Sequence, residues 1–244
     1  MKGVILAGGL GTRLHPLTRI TNKHLLPVYD KPMIYYPLQT LVNAGIRDVM
    51  IVTGGQYAGE FLRLVRDGRE FGLRAVEYAY QEGEGGIADA LRLAERFVGR
   101  DRLAVVLGDN IVGGTIRASV EAFQTQRRGA RILLKAVDDP QHYGCPDIRK
   151  GKITAIQEKP KKPRSPYAVT GIYLYDSSVF SVVRHLRPSA RGELEITDVN
   201  NHYVRKGWMA YDVLDGWWGD AGESIEAYLR VQRMVAEYGA NKVA

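Results

Sequence analysis

Cysteine is almost missing from this sequence: Cys145 is the only one among 244 residues. No intrachain disulfide can form, and a zinc module built on several thiolates is excluded. Long hydrophobic runs are missing as well. Uninterrupted apolar stretches such as 49–52 and 103–107 fall far short of the ~20 residues a spanning helix needs, so no membrane partner is expected. No leader-like segment opens the chain, because Met1-Lys2 runs straight into the strand-like Gly3-Val4-Ile5-Leu6-Ala7. A cytoplasmic location is the resulting expectation. Neither H-E-x-x-H nor G-x-S-x-G occurs, which removes the signatures of zinc peptidases and serine hydrolases.

What is present is ordinary globular material, with 45% apolar and 25% charged residues. Lysine and arginine number 34 against 27 acidic residues, a net charge of +7. That excess suits an anionic partner, either nucleic acid or phosphorylated small molecules. The cations are scattered apart from Lys159-Pro160-Lys161-Lys162-Pro163-Arg164, and no basic stripe interleaved with aromatics is found. Charge alone therefore leaves a generally basic surface equally open.

Residues 1–137 alternate short apolar runs with amphipathic stretches. Strands are expected at 2–7, 48–53, 74–80, 103–107 and 130–137, rich in Val, Ile and Leu without polar alternation, as for strands covered on both faces. Helices are expected at 33–44, 57–66 and 115–127. Ile87, Ala90, Leu91, Ala94 and Val98 form a further helical stripe bounded by Gly86 and Gly99. Strand–helix alternation of this kind predicts an α/β fold with an open, mostly parallel sheet. After Asp138 the rhythm changes. A hairpin is expected around Lys150-Gly151, a strand at 167–175, helices at 178–185 and 195–206, a short strand at 212–218 and a closing helix at 223–238. The proline-rich 159–166 segment reads as a loop within one fold.

The strongest chemical signal is Leu6-Ala7-Gly8-Gly9-Leu10-Gly11-Thr12-Arg13-Leu14, directly after the first strand. Glycines allow close backbone approach and expose N–H groups that can cradle phosphate oxygens. The spacing is neither G-x-G-x-x-G nor a P-loop. It offers Arg13 and, ten residues on, Lys23, which together make a plausible triphosphate clamp. A second signal is Asp109, ending the apolar run 103–107, where open α/β sheets bind ligands. Asp220 in Trp217-Trp218-Gly219-Asp220-Ala221-Gly222 is a second carboxylate ahead of a helix. Mg²⁺ takes one or two carboxylates plus phosphate oxygens, so the two could share an ion if the fold joins them. Alternatively Asp109 ends a strand in a turn and Asp220 serves as an early helix cap.

The glycine loop followed by Lys23-His24-Leu25-Leu26-Pro27-Val28-Tyr29-Asp30-Lys31-Pro32 resembles the sugar nucleotidyltransferases, most closely their thymidylyltransferase branch. Leu107-Gly108-Asp109-Asn110, Glu158-Lys159-Pro160, Tyr167-Ala168-Val169-Thr170-Gly171 and Ser189-Ala190-Arg191-Gly192-Glu193 follow in family order. The resemblance implies a Rossmann-like three-layer fold, with a mixed sheet and a small β-rich sugar-binding portion. It implies a single domain: 1–137 mainly for the nucleotide, 138–222 for the sugar phosphate, 223–238 closing the fold. It also implies a roster of roles. Gly8, Gly9, Gly11, Thr12, Arg13 and Lys23 would hold the phosphates, and Gln81 and Gly86 the base. Asp109 and Asp220 would hold Mg²⁺. Lys159 and Arg191 would grip the sugar phosphate, and Tyr143, Gly144, Glu158, Val169 and Trp218 would form the sugar pocket. The implied reaction joins dTTP to α-D-glucose 1-phosphate in a homo-oligomer.

Three departures keep alternatives open. Glu82 and Glu84 stand near family prolines, Asp89 stands at a family glutamine, and Cys145-Pro146-Asp147 replaces an apolar run. UTP or a different sugar 1-phosphate is therefore a competing expectation, as is a non-catalytic sugar-nucleotide sensor. Ala221 removes the hydroxyl of the usual Asp-Thr-Gly. Long members of the family continue into a helical region used in subunit contacts and end-product feedback. Such feedback is expected to be weak or absent here. All five histidines, His15, His24, His142, His185 and His202, are expected to be structural or exposed.

Overall fold

The computed structural model describes residues 1–243. In chain order the first strands are β1 (Lys2–Ala7), the short hairpin β2 and β3 (Pro27–Val28, Lys31–Pro32), β4 (Asp48–Gly54), β5 (Ala75–Gln81) and β6 (Leu103–Leu107). Then come β7 (Asn110–Val112), β8 (Ala130–Ala136), the hairpin β9 and β10 (Gly144–Arg149, Lys152–Glu158), β11 (Tyr167–Tyr175), β12 (Met209–Val213) and β13 (Trp218–Asp220). The helices are α1 (Tyr35–Asn43), α2 (Ala58–Val65), α3 (Ile87–Arg92), α4 (Glu95–Val98), α5 (Arg117–Thr125), α6 (Val179–Arg184), α7 (Ile196–Arg205) and α8 (Ile225–Tyr238). None of them is long and apolar enough to cross a membrane.

Seven strands form one sheet in the order β12-β8-β11-β6-β1-β4-β5. β1 pairs in parallel with β4 and β6, β4 with β5, and β12 with β8, while β11 runs antiparallel to both β6 and β8. The expected mixed, mostly parallel α/β sheet is present. Side chains alternate across it. Val4 and Leu6 of β1 face a core shared with α3, α4, α6 and α7, whereas Ile5 and Ala7 face one shared with α1, α2 and α5. Two apolar layers with helices outside give three layers, as expected for strands buried on both faces. A smaller core beneath α8 joins Tyr228, Val231 and Val235 to Leu14, Met33 and Ile111.

Two elements differ from expectation. The stripe 87–98 is not one helix, because it breaks between α3 and α4. There Leu93 N–H bonds to Ala90 C=O and Ala94 N–H to Leu91 C=O, tightening the turn to i→i+3 bonds. Ala90, Leu91, Ala94 and Val98 nevertheless stay buried together, since apolar spacing reports the buried face and not the hydrogen-bond step. The single strand at 212–218 is instead two strands. β12 ends at Val213, Gly216 turns the chain with φ 68°, and β13 starts at Trp218 to pair with β7. Aromatic and apolar content marked the segment, but Asp215-Gly216 decided it.

Phe123, on α5, is fully buried in the second core. Phe123→Ala is expected to cost about 3–5 kcal/mol. The check is a urea titration, where the midpoint should fall with little change in slope.

Candidate active site

The carboxyl ends of β1, β5 and β6 open on one side of the sheet, where ligands bind in open α/β folds. One cleft there is lined by the glycine loop, Lys23, Gln81, Asp109, Lys159 and Arg191. Every residue given a binding or metal role from the sequence borders it, including Tyr143, Gly144, Glu158, Val169, Trp218 and Asp220.

The glycine loop leaves β1 through Gly8, and Gly9 and Gly11 take left-handed φ of 87° and 66°. A side chain would be strained at either position. A Cβ on Gly8 would lie 2.7 Å from Gln81 Oε1, so Gly8 also permits close packing of the base-side wall. Thr18 Oγ1 donates to Gly11 C=O at 2.8 Å, and Leu10 N–H donates to Glu84 Oε1 at 3.1 Å, tying the loop at both sides. Asn22 then caps the short turn carrying Lys23, accepting from His24 N–H at 2.9 Å and lying 2.8 Å from His24 Nδ1. His24 is buried, and burial together with the Lys23 charge lowers its pKa to about 3. It is a neutral packing residue, as expected. His142 is exposed at the cleft, which His24 also borders.

Lys23 Nζ meets Asp109 Oδ2 at 2.5 Å. Burial penalises the Asp109 carboxylate, but the Lys23 ammonium and hydrogen bonds from Lys23 and Asn110 outweigh it and hold its pKa below the ordinary carboxylate range. Burial likewise works against the Lys23 charge, and Asp109 and Asp220 together outweigh it and raise its pKa. Asp220 differs. Burial and the Asp109 charge push it up to about 7. A buried and a half-buried carboxylate thus lie near one ammonium, which contacts Asp109. Asp220 does not cap α8: Ser224 Oγ takes Ala227 N–H at 3.1 Å, while Asp220 Oδ1 accepts from Gly222 N–H at 2.8 Å. A Cβ on Gly222 would fall 2.1 Å from Asp109 Oδ2 and 2.8 Å from Lys23 Nζ. Glycine is what lets the β13–α8 turn close over the pair.

On the opposite wall, Thr197 Oγ1 donates to Glu158 Oε2 at 2.7 Å, and Arg191 is forked onto Glu195 at 2.9 Å. β10 ends at Glu158, and Glu158 and Lys159 are both exposed, with the Thr197 contact holding the Glu158 carboxylate. Arg191 pairs chiefly with Glu195, with Glu193 at 3.7 Å. Trp218 packs edge-on to Tyr143 at 5.2 Å between ring centroids and donates its Nε1–H to Asn110 Oδ1 at 2.8 Å. Trp217 donates to Gly239 C=O at 3.0 Å and packs on the α8 core. Sequence reasoning missed Asn110, whose Oδ1 also takes Gly171 N–H at 2.9 Å, as well as Thr197, Glu195 and Glu84. The partners of Asn110, Thr197 and Glu84 lie far away along the chain, so no local spacing marks them, whereas Glu195 stands four residues from Arg191 and could have been found from that spacing.

The sequence pattern of the nucleotidyl transferase family matches residues 2–237. The chain belongs to that family. A glucose-1-phosphate thymidylyltransferase of Actinoplanes sp. is 47% identical over 226 residues, covering 91% of this chain and 74% of that protein. Its counterpart in Neisseria meningitidis is 44% identical over 88% of this chain and 75% of its own length. A Bacillus anthracis protein provisionally assigned the same activity, crystallised with sucrose, superposes with a TM-score of 0.93 at 51% identity, covering 97% and 96% of the two chains. A UDP-glucose pyrophosphorylase bound to UDP-glucose shares the fold, with a TM-score of 0.83 at 23% identity over 97% and 98%.

Lys23→Met keeps the packing volume but leaves Asp109 buried beside Asp220 with no cation. Breaking such a pair typically costs about 3–5 kcal/mol. Urea unfolding at neutral pH should show that loss, and an unchanged midpoint would mean that the pair does not hold the site together.

Proposed function

We propose that this chain transfers a nucleotidyl group from dTTP to α-D-glucose 1-phosphate, giving dTDP-glucose and pyrophosphate. The observation that carries the reading is the cleft itself. It is lined by a glycine loop suited to phosphate, by Arg13 and Lys23, by Lys159 and Arg191, and by the carboxylates of Asp109 and Asp220. The activity carried by the Actinoplanes and Neisseria relatives supplies the substrates.

Two polyanions must meet in this reaction, and their repulsion has to be cancelled before an oxygen reaches the α-phosphorus. The loop N–H groups of Gly8, Gly9, Gly11 and Thr12, with Arg13 and Lys23, would bind the triphosphate. Lys159 and Arg191 would bind the sugar phosphate, and Glu158, Tyr143, Gly144, Val169 and Trp218 would shape the sugar pocket. A sugar-phosphate oxygen attacks the α-phosphorus, forming one P–O bond as the bond to the departing pyrophosphate breaks. The nucleophile is already an anion, so no general base is needed, and alignment supplies much of the rate.

Asp109 and Asp220 suit Mg²⁺. Lys23 pairs with Asp109 alone, and the raised pKa of Asp220 reflects a carboxylate set beside a second one without a paired cation. Among the described residues no group of three or more His, Cys, Asp or Glu gathers anywhere. Two carboxylates completed by phosphate oxygens and water is the ordinary Mg²⁺ arrangement. Bound there, the ion would neutralise charge on the triphosphate and the leaving group.

The deciding assay is pyrophosphate release with Mg²⁺ over dTTP, UTP, CTP, ATP and GTP against several sugar 1-phosphates. Release is expected with dTTP and glucose 1-phosphate. Release centred on UTP or another sugar would keep the chemistry and replace the substrate. No release from folded protein would favour a sugar-nucleotide sensor. Asp220→Asn is expected to lower turnover roughly a hundredfold or more with the circular dichroism spectrum unchanged, and full activity would overturn the metal assignment.

A further inference from the structure

Gln81 ends β5 with its side chain at the cleft wall, only 5% exposed. Its Nε2 donates to Gly86 C=O at 3.2 Å and to Asp89 Oδ2 at 3.0 Å. A backbone carbonyl and a carboxylate are both acceptors, so the amide has one workable orientation: turning it over would press its oxygen against two others. Asp89 is itself held, because its Oδ1 takes a hydrogen bond from Arg92 at 2.8 Å, one turn along the helix that Gly86 opens. Both hydrogens of the Gln81 amide are therefore occupied. Its Oε1, beside Gly8, takes no hydrogen bond from the described residues and is the part left for a ligand.

Resting on the nucleotide-transfer reading above, we infer that Asp89 is a positioning residue that makes Gln81 acceptor-only toward the base. The site then takes a pyrimidine whose edge carries an imide N–H, as in uracil or thymine, and rejects cytosine, which presents a lone pair at that nitrogen. Asp89 does not border the cleft; it acts through the Gln81 amide alone. A glutamine at position 89, as the wider family pattern has, could either donate or accept and would impose no such sense. The thymine methyl plays no part in this contact, so Gln81 separates imide from non-imide bases and leaves dTTP and UTP alike.

The test is calorimetric binding of dUTP and dCTP, with Mg²⁺ and no sugar phosphate, to the wild-type chain, Asp89→Asn and Asp89→Thr. The two nucleotides differ only at the edge in question. Wild type should prefer dUTP by roughly a hundredfold or more, as a hydrogen-bonding site does against a mismatched analogue. Either variant can donate to Gln81 and free its amide to turn, so the preference should fall about tenfold or more through tighter dCTP binding. A purely structural role would weaken both nucleotides together, and that result, an unchanged ratio in folded variants, or no preference in wild type would overturn the inference. Pyrophosphate release with an unchanged ratio would sink the inference and leave the transfer reading standing. The expected ratio change without release from any substrate pair would do the reverse.

Discussion

The pairing of Lys23 with Asp109 across 86 positions of sequence is the contact on which the site depends. Neither charge is tolerable alone in a buried setting, so much of the surrounding chain exists to bring the two together. Asn22 fixes the turn that carries Lys23, and neutral His24 packs beneath it. Strand β6 delivers Asp109, whose backbone carbonyl takes Ala221 N–H at 2.9 Å, locking in the segment that holds Asp220. Asp220 makes no ion pair of its own with Lys23, and in the proposed function that poorly compensated carboxylate is what would draw a cation, and with it a cation-bound triphosphate, to the site.

The two walls of the cleft handle charge differently. On the nucleotide side, the positive character comes from backbone N–H groups of a loop shaped by Gly9 and Gly11, which need no reorganisation once formed. On the sugar-phosphate side it comes from side chains already engaged: Arg191 lies against Glu195, which also accepts from Ser189 Oγ at 2.7 Å. A guanidinium held by a carboxylate is oriented in advance, so in the proposed function the edge of Arg191 that Glu195 leaves free would meet a phosphate already ordered. Glu158 is fixed in the same way by Thr197 at the start of α7. In the proposed function helix α7 is the frame for the sugar-phosphate residues, as the β1 loop is for the nucleotide residues.

Much of this was legible in the sequence because the informative features are local. Unalternating apolar runs located the buried strands 2–7, 103–107 and 167–175 at the positions where the structure has them, and the glycines, Arg13 and Lys23 lie close enough in sequence to form one motif. The joining of Asp109 to Asp220 was not legible from spacing. It depends on β7 pairing with β13, a three-residue contact between segments more than a hundred positions apart. The same pairing explains why Asn110 went unnoticed: its single oxygen serves Gly171 and Trp218, both distant in sequence. The break between α3 and α4 failed for a different reason, since apolar spacing records which side faces the core and is blind to a tightened turn.

The departures at Glu84 and Asp89 show how a family site can be altered without moving its chemistry. Glu84 stands at the cleft lining, and Asp89 lies behind it. Glu84 accepts from Leu10 N–H in the phosphate loop, and Asp89 from the Gln81 amide. Charge in the reacting region, set by Lys23, Asp109 and Asp220, is untouched by either contact. What changes is direction: which atoms of the loop and the amide remain available to a ligand. Rate depends on net charge and alignment at the phosphates, whereas choice of base depends on donor and acceptor sense at one edge. On the inference drawn above, nucleotide preference is set through Asp89 while Lys23, Asp109 and Asp220 stay as they are.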